Sequence, residues 1–236
     1  MTLLWSLLMV LAGYLVGSLS FAVIVSRAMG LADPRSYGSG NPGATNVLRT
    51  GNRAAAVVTL ALDALKGYVP VLAALLLADR FGWASGTVAL TGLAAFLGHL
   101  WPVFFAFKGG KGVATAAGVL FGFNPLLGLA TLATWVIVAA FMRYSSLASL
   151  AAAAFAPFYQ MLIWEADATA LAIIVMSLLL VWRHAANIAK LFAGTESKIG
   201  QKAAAAHPAP HSKGHHHAHP SHHSHHSHHS HHKGHH

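Results

Sequence analysis

The sequence predicts an all-α integral membrane protein, and this prediction rests on composition, on the length of the apolar runs and on the positions of the charges. Of the 236 residues, 56% are hydrophobic and only 9% are charged, whereas about a quarter of the residues in a soluble domain are charged. Several continuous runs hold about twenty apolar residues, enough for a helix to cross the hydrocarbon of a bilayer. Because Leu, Ala and Val follow one another without alternation, these runs predict helices rather than the strands of a barrel.

Seven runs are candidates for membrane-spanning helices. The fourth, at about 113–123, is too short for a full crossing, and the dipeptide Asn124-Pro125 predicts a turn at its end. This segment is either a short, half-spanning helix or the first part of the next span, which would leave six crossings. The other runs lie at about 3–26, 54–78, 84–106, 126–142, 146–164 and 168–190.

The distribution of Lys and Arg favours seven crossings, with a periplasmic N-terminus and a cytoplasmic C-terminus. In this topology Arg80 is the only Lys or Arg in an outer loop. Six crossings would move Arg143, Arg183 and every later cation outside, against the positive-inside rule. Seven crossings also place three glycine-rich polar stretches on the cytoplasmic face, near positions 45, 110 and 187.

The chain is expected to divide near residue 202. Residues 1–202 are predicted to form the transmembrane domain. Residues 203–236 are predicted to be a disordered His-rich tail, because they lack the apolar periodicity that could offset the entropy of ordering. Of the 18 His residues, all except His99 and His184 lie in this tail, which could chelate Ni, Cu or Zn. We expect no metal site within the transmembrane domain and no cofactor.

Composition also excludes several classes of function. The formal net charge is +9, but the basic residues are scattered through short loops, so no nucleic-acid partner is expected. The chain has no Cys, which excludes disulfides, a thiol nucleophile and a Cys-based metal site.

The first polar stretch, Gly38–Arg53, has the composition of a phosphate cradle. Glycines such as Gly38 and Gly40 permit tight turns and close approach of the backbone to an anion. Arg49 adds a fork of donors that matches phosphate geometry. An ordinary loop at the lipid headgroups would have a similar composition. The remaining candidate ligands of this stretch are Ser39, Asn41 and Asn46.

The second stretch opens the short helix near residue 113. Glycines before a helix start expose amide N–H groups at the positive end of the helix dipole, which favours an anion. The spacing is not that of a Walker A motif, and a juxtamembrane basic turn that binds lipid headgroups remains an alternative. The candidates here are Lys108, Gly109, Gly110, Lys111, Gly112 and Thr115.

The third stretch closes the last predicted helix. His184 and Asn187 are three residues apart and share one helix face at the inner mouth. A histidine is a candidate acid–base group near neutral pH, although at a helix C-terminus it can also simply complement the dipole. Arg183 precedes this pair, and Glu196 follows after Gly194.

Three polar residues lie deeper in the predicted bundle. Asp63 and Lys66, three apart on the second span, could neutralise one another. His99, near the inner end of the third span, could contact substrate or bond a neighbouring helix. We expect these residues, together with Glu196, to support the site.

The three stretches together, in their order and spacing, resemble the bacterial acyl-phosphate:glycerol-3-phosphate acyltransferases, the PlsY family. The motifs are GSGNPGATN at 38–46 with Arg49, GHLWP at 98–102 leading to FKGGKGVAT at 107–115, and RHAANI at 183–188 with GTESK at 194–198. The resemblance covers residues 1 to about 200 and not the tail.

This resemblance implies a seven-helix enzyme of the bacterial inner membrane with its active site on the cytoplasmic face. The enzyme would move a fatty acyl group from acyl phosphate to the 1-hydroxyl of glycerol 3-phosphate, the first acylation step of phospholipid biosynthesis. Membrane lipids are expected partners, and the enzyme that makes acyl phosphate is a further candidate. The implied catalytic residues are Ser39, Arg49, Lys108, His184 and Asn187; the implied substrate-binding residues are Gly38, Gly40, Asn41, Asn46, Gly109, Gly110, Lys111, Gly112, Thr115 and Arg183.

Some alternatives stay open at this point. His184 is either a general base or a phosphate anchor, and in the second case a substrate phosphate oxygen takes the proton. Direct transfer is expected over a covalent acyl-Ser39 intermediate, because phosphate is already a good leaving group. The rival function is a transporter of an anion or phosphorylated metabolite, which predicts an inverted repeat that the sequence does not show. The tail alone suggests a third class, a metal-handling membrane protein.

Overall fold

The computed structural model describes residues 1–201, and in that part of the chain all regular secondary structure is helical. The all-α prediction is therefore confirmed there. The predicted tail at 203–236 lies outside the described residues, as does Lys202.

Ten α-helices make up the described region. They are α1 (Thr2–Gly17), α2 (Phe21–Ala28), α3 (Ala44–Val47), α4 (Arg53–Phe81), α5 (Ser85–Leu100), α6 (Val113–Phe123), α7 (Pro125–Met142), α8 (Ser145–Ile163), α9 (Ala168–Arg183) and α10 (Ala185–Phe192). Single 3₁₀ turns follow α3 at Leu48–Thr50 and α5 at Val103–Phe105.

Among residues 1–201, four helical segments are long and apolar enough to cross a membrane: α4, α5 with its 3₁₀ turn, α7 and α8. Two bent pairs, α1 with α2 and α9 with α10, bring the number to six if each pair is one span. The short α6, of 11 residues, corresponds to the predicted segment at 113–123. Large apolar side chains such as Leu76 and Phe141 are 73% and 81% exposed, as expected where a surface faces lipid.

The first predicted span is broken rather than continuous. α1 and α2 meet at an angle of 43°, with Ser18–Ser20 between them. Close packing explains the break, since a Cβ at Gly17 would overlap the backbone of Ala95 on α5. The Lys66 Nζ donates to the Leu19 carbonyl at 2.7 Å, which satisfies an acceptor freed by the break.

The last predicted span is broken in the same way. α9 and α10 meet at 56°, and His184 stands between them. The bend turns Asn187 and the following segment away from the axis of α9. The sequence predicted a single helix over this region, because no Pro or Gly marks the break.

The short α6 lies against α4 through small residues. A Cβ at Gly67 would overlap the Thr115 carbonyl, and a Cβ at Gly118 would overlap the Ala64 carbonyl. Such close backbone approach is typical of membrane helix pairs. It fixes the N-terminus of α6, and with it the buried Gly110 and Gly112 of the preceding loop, inside the bundle. The buried core beside it includes Phe96, Leu100, Val119, Met176 and Leu180.

Candidate active site

One cavity of about 600 Å³ joins the three polar stretches. It is lined by residues from α4, α6, α7, α8 and α9, by the loop before α4 and by the segment after α10. Its polar lining includes Ser39, Asn41, Asn46, Arg49, Lys111, Gly112, His184, Asn187 and Glu196. Positions separated by more than 150 residues in the chain thus share one site.

Asn46 organises the first stretch. Its Nδ2 donates to the carbonyls of Pro34 at 2.6 Å and Tyr37 at 3.2 Å, and its Oδ1 accepts from the Ser39 N–H at 3.1 Å. Gly38 has a φ of 58°, in the left-handed region, and a Cβ there would overlap the Asn46 Oδ1. Asn46 is only 2% exposed, so its amide holds the loop and presents Ser39 to the cavity.

Gly109 and Gly110 lie against the C-terminal end of α5. A Cβ at Gly109 would overlap the His99 carbonyl, and one at Gly110 would overlap the His99 Nε2. The Arg183 guanidinium donates to the carbonyls of Gly109 and Gly110, each at 2.8 Å. Arg183 therefore holds the loop by its carbonyls, while the Gly110 N–H donates to the His99 carbonyl at 3.2 Å.

The two lysines of this loop line different cavities. Lys111 lines the main cavity, whereas Lys108 lines a separate hollow of about 450 Å³ with Arg35, Gly40, Pro42 and Gly109. The chain direction changes just before them, because Ala106 and Phe107 have φ values of 52° and 58°. Such left-handed conformations are uncommon for residues other than glycine. The structure thus brings Lys111, and not Lys108, next to Arg49 and His184.

A chain of hydrogen bonds connects the loop to the third stretch. The Lys111 Nζ donates to the Asn187 Oδ1, and the Asn187 Nδ2 donates to the Glu196 Oε1 at 2.7 Å. The Ser146 Oγ, on α8, also donates to the Glu196 Oε1 at 2.7 Å. Sequence reasoning missed Ser146. The sequence pattern that could have indicated it is a stripe of hydroxyl side chains at helical spacing on an otherwise apolar helix: Ser145, Ser146 and Ser149.

Arg49 is held by the segment that follows α10. Its Nη2 donates to the Ser197 Oγ at 3.0 Å. The segment from Glu196 to Gln201 lines the cavity, and its Ile199 N–H donates to the Arg143 carbonyl at 2.7 Å. We call Arg49, Lys111, Asn187, Glu196 and Ser197 the mouth cluster.

His184 is buried, with 2% exposure, beside the mouth cluster. Its Nδ1 lies 2.8 Å from the Leu180 carbonyl oxygen. Because a carbonyl can only accept, Nδ1 carries the proton, and in the neutral ring Nε2 keeps its lone pair. His184 can therefore accept a hydrogen bond through Nε2.

The mouth cluster carries excess positive charge. Burial lowers the pKa of Lys111 to about 8; Glu196 opposes this shift, while Lys190, Arg183 and Arg49 add to it. Arg53 and Lys198 also line the cavity. An anion placed here would relieve the mutual repulsion of these cations.

A second group of polar residues is more deeply buried and internally paired, although Asp63 and His99 also line the cavity. The Lys66 Nζ is 2.7 Å from the Asp63 Oδ1, with side chains 1% and 3% exposed. The Thr115 Oγ1 donates to the Asp63 carbonyl at 2.9 Å and lies 3.1 Å from the His99 Nδ1. We call Asp63, Lys66, His99 and Thr115 the buried cluster. Thr115 is 0% exposed, so it joins α6 to α4 and α5 instead of lining the cavity.

The rest of the cavity is apolar and runs between the helices. Its lining includes Leu60, Leu120, Trp135, Ala152, Ala153, Ala156, Ile173 and Met176. Among residues 1–201, no group of three or more His, Asp or Glu side chains could hold a metal ion. The suggested metal binding by the tail lies outside the described residues.

Comparison with known proteins identifies the family. The sequence model of the glycerol-3-phosphate acyltransferase family matches residues 7–194. A glycerol-3-phosphate acyltransferase of Paraburkholderia phytofirmans is 62% identical over 207 residues, which cover 86% of this chain and 97% of that protein. One of Ralstonia nicotianae is 65% identical over 191 residues, which cover 81% of this chain and 92% of that protein.

Solved structures agree with these relatives. The crystal structure of PlsY, an integral membrane glycerol 3-phosphate acyltransferase, in its glycerol 3-phosphate form is 40% identical with a TM-score of 0.77, covering 83% of this chain and 96% of that chain. Its lysophosphatidic acid form is 39% identical with a TM-score of 0.75, covering 82% and 94%. The chain belongs to the glycerol-3-phosphate acyltransferase family and is a multi-pass integral membrane protein.

Proposed function

We propose that this protein transfers a fatty acyl group from acyl phosphate to the 1-hydroxyl of glycerol 3-phosphate. The products are 1-acyl-glycerol 3-phosphate (lysophosphatidic acid) and inorganic phosphate, and the step is the first acylation of phospholipid biosynthesis. The family match supports the acyltransferase activity, and the neighbouring structures hold glycerol 3-phosphate and lysophosphatidic acid, one substrate and one product of this reaction. Family membership disfavours the transporter alternative.

One observation carries the proposal: a single cavity has a cationic mouth and an apolar part, which we call the slot. Both substrates carry a phosphate group, which the excess positive charge of the mouth cluster suits. The acyl donor also carries a long hydrocarbon chain, which the apolar lining suits. A site for a water-soluble metabolite alone would not need the slot.

We assign the phosphate groups to the side chains of Arg49 and Lys111 and to the backbone N–H groups of Lys111 and Gly112, which line the cavity. Asn187 is held between Lys111 and Glu196, so its amide is positioned beside these cations. Ser39, presented by Asn46, supplies a hydroxyl at the same mouth. We propose that Ser39 and Asn187 orient the attacking hydroxyl and the acyl carbonyl.

The reaction then needs no covalent intermediate between the acyl group and the protein. The 1-hydroxyl oxygen of glycerol 3-phosphate attacks the carbonyl carbon, the bond from that carbon to the phosphate oxygen breaks, and phosphate leaves with the electron pair. Positioning and electrostatic stabilisation of the carbonyl oxygen and the leaving phosphate supply the catalysis. The hydroxyl proton ends on the His184 Nε2 or on the released phosphate.

The other predicted site residues take indirect roles in this proposal. Arg183 holds the glycine loop by its carbonyls, and Thr115 and Asn46 brace α6 and the first loop. Lys108, in its separate hollow with Arg35, is proposed to draw anionic substrate toward the mouth. Asn41, Gly38 and Gly40 shape the loop beside Ser39.

We further propose seven crossings, with the N-terminus in the periplasm and the mouth on the cytoplasmic side of the bacterial inner membrane. The four long helices, the two bent pairs and α6 supply the seven segments. The catalytic domain is assigned to residues 1–202, because the family match ends at residue 194. Acyl phosphate arrives from the enzyme that makes it, which is a candidate partner.

The test uses the purified full chain in detergent, with palmitoyl phosphate and glycerol 3-phosphate. We expect equal amounts of released phosphate and lysophosphatidic acid, and little product with palmitoyl-CoA. Equal turnover of the coenzyme A thioester would overturn the donor assignment.

A His184→Gln variant separates the two proton routes. Loss of turnover together with loss of the acidic limb of the pH–rate profile supports a general base. Retained turnover with weakened glycerol 3-phosphate binding supports a phosphate anchor.

Topology is tested with single cysteines in this chain, which has none of its own. An impermeant thiol reagent added to whole cells should label Ala84→Cys and spare Thr50→Cys. The reverse pattern contradicts the proposed orientation.

A further inference from the structure

The apolar part of the cavity extends away from the mouth along α8 and α9. On α8 its lining begins at Ser145 beside the mouth and continues along one face to Ala156. The 11 steps from position 145 to position 156 correspond to about 16 Å at the helix rise of about 1.5 Å per residue. On α9 the lining runs in the opposite chain direction, from His184 down to Ile173. The slot therefore extends from the charged mouth toward the middle of the bundle.

The slot ends against a closed group of side chains. Leu120, Ala156 and Ile173 line the cavity, and with Leu127 they also form a buried apolar cluster. Leu127 is 0% exposed and does not line the cavity. Tyr159 and Trp164, partly buried, pack on the far side of the same cluster. The floor of the slot is therefore formed by Leu120, Ala156 and Ile173. Other side chains of the same cluster fill the space behind this floor.

We propose that this floor sets the length of the acyl chain that the enzyme accepts. The inference rests on the proposed function, which places the acyl phosphate group at the mouth and the hydrocarbon chain in the slot. A chain that reaches the floor gains contact along its whole length. A longer chain must bend or leave its end outside, because the residues behind the floor are already packed.

Ala156 is the position where the floor can be raised. Its side chain is a single methyl group and is 2% exposed, and the space in front of it is the cavity. In Ala156→Leu, three further carbons enter the slot from the floor. Ile173, 1% exposed on the facing α9, is the position where the floor can be lowered, because Ile173→Ala removes three carbons.

The test compares kcat/KM for lauroyl, palmitoyl and stearoyl phosphate in purified protein. Ala156→Leu should raise the lauroyl-to-stearoyl ratio by about tenfold or more, and Ile173→Ala should lower it, because each buried methylene changes binding by several-fold. Ala154→Leu is the matched control. It makes the same change on the same helix at an exposed position outside the cavity, and its ratio should equal that of the wild type.

The result that overturns the inference is an unchanged ratio in both floor variants while they still turn over acyl phosphate. Should Ala156→Leu fail to fold, Ala156→Val and Ile173→Ala give the same comparison. Failure of the proposed function looks different, because the wild-type protein would then make no lysophosphatidic acid from any of the three donors.

Discussion

The buried cluster and the mouth cluster contain the same kinds of side chain, yet they differ in the balance of their charges. In the buried cluster one carboxylate meets one ammonium at 2.7 Å, and both side chains are almost fully buried. The mouth cluster has two cations, Arg49 and Lys111, for the single carboxylate of Glu196, and the group opens into the cavity. A neutral pair leaves nothing for a ligand to balance, whereas unbalanced cations attract an anion.

The difference shows that burial of charge alone does not identify a binding site. The deeper pair lies within membrane-spanning helices, where ionisable residues often signal function. Its contacts instead join α4 to the break between α1 and α2, through Lys66 and the Leu19 carbonyl. Unbalanced positive charge distinguishes the mouth cluster, and the predictions below test that distinction.

The largest expected effect comes from splitting the buried pair. Asp63→Ala leaves Lys66 unpaired among helices, so we expect about 3–5 kcal/mol of destabilisation. Asp63→Asn with Lys66→Met removes both charges and should recover most of the loss. Denaturant unfolding in detergent measures each variant, and a double variant no more stable than the single one would contradict the role of the pair.

Removing the cation from the mouth should act on catalysis instead of folding. Lys111→Met loses a buried donor next to the reacting groups, so kcat/KM should fall about 10²–10³-fold, the range seen when one electrostatic donor is removed. Unfolding should change little. Lys190→Met, on the exposed surface of α10, is the control and should retain most activity.

The lowered pKa of Lys111 predicts a pH effect of intermediate size. Below about pH 8 the amine is protonated and can hold phosphate; as pH rises through about 8 the cation is lost. We expect kcat/KM to fall by about tenfold per pH unit above that point, since it reports the free enzyme. In Lys111→Arg the fall should disappear, because a guanidinium keeps its charge. An unchanged alkaline limb in that variant would exclude Lys111 as its source.

The smallest effect is expected where a neutral hydroxyl only orients a cation. Ser197→Ala removes the partner of the Arg49 Nη2, so the KM for glycerol 3-phosphate should rise several-fold with kcat nearly unchanged. Ser197→Thr keeps the hydroxyl and should behave as the wild type. Equal KM values for all three proteins would show that Arg49 is held by other contacts.

Much of the fold could be predicted from hydrophobicity, because lipid-facing helices must be apolar over their whole length. The short segment at 113–123 was also predictable, from its apolar composition and from the bounding Gly112 and Asn124-Pro125, although it packs inside the bundle. The breaks at Ser18–Ser20 and at His184 could not be predicted. They depend on how closely α1 approaches α5 and on where α10 turns across the bundle, and neighbouring sequence does not encode either distance.

The candidate site was predictable as a set of residue types, but not as a set of contacts. Lys108 and Lys111 have equivalent local sequence, with glycines between and after them, yet they line different cavities. Ser146 lies outside the three stretches, and Ser197 lies in the third; both become relevant only through their bonds to Glu196 and Arg49.

The sequence by itself determined that the chain is a helical membrane protein with three anion-suited stretches, because apolar length and local backbone chemistry are properties of contiguous residues. Only the tertiary structure decided which charges neutralise one another, which lysine reaches the cavity and where the apolar slot ends. Those outcomes depend on distances between helices, which are set by close packing at a few small residues such as Gly17, Gly67 and Gly118.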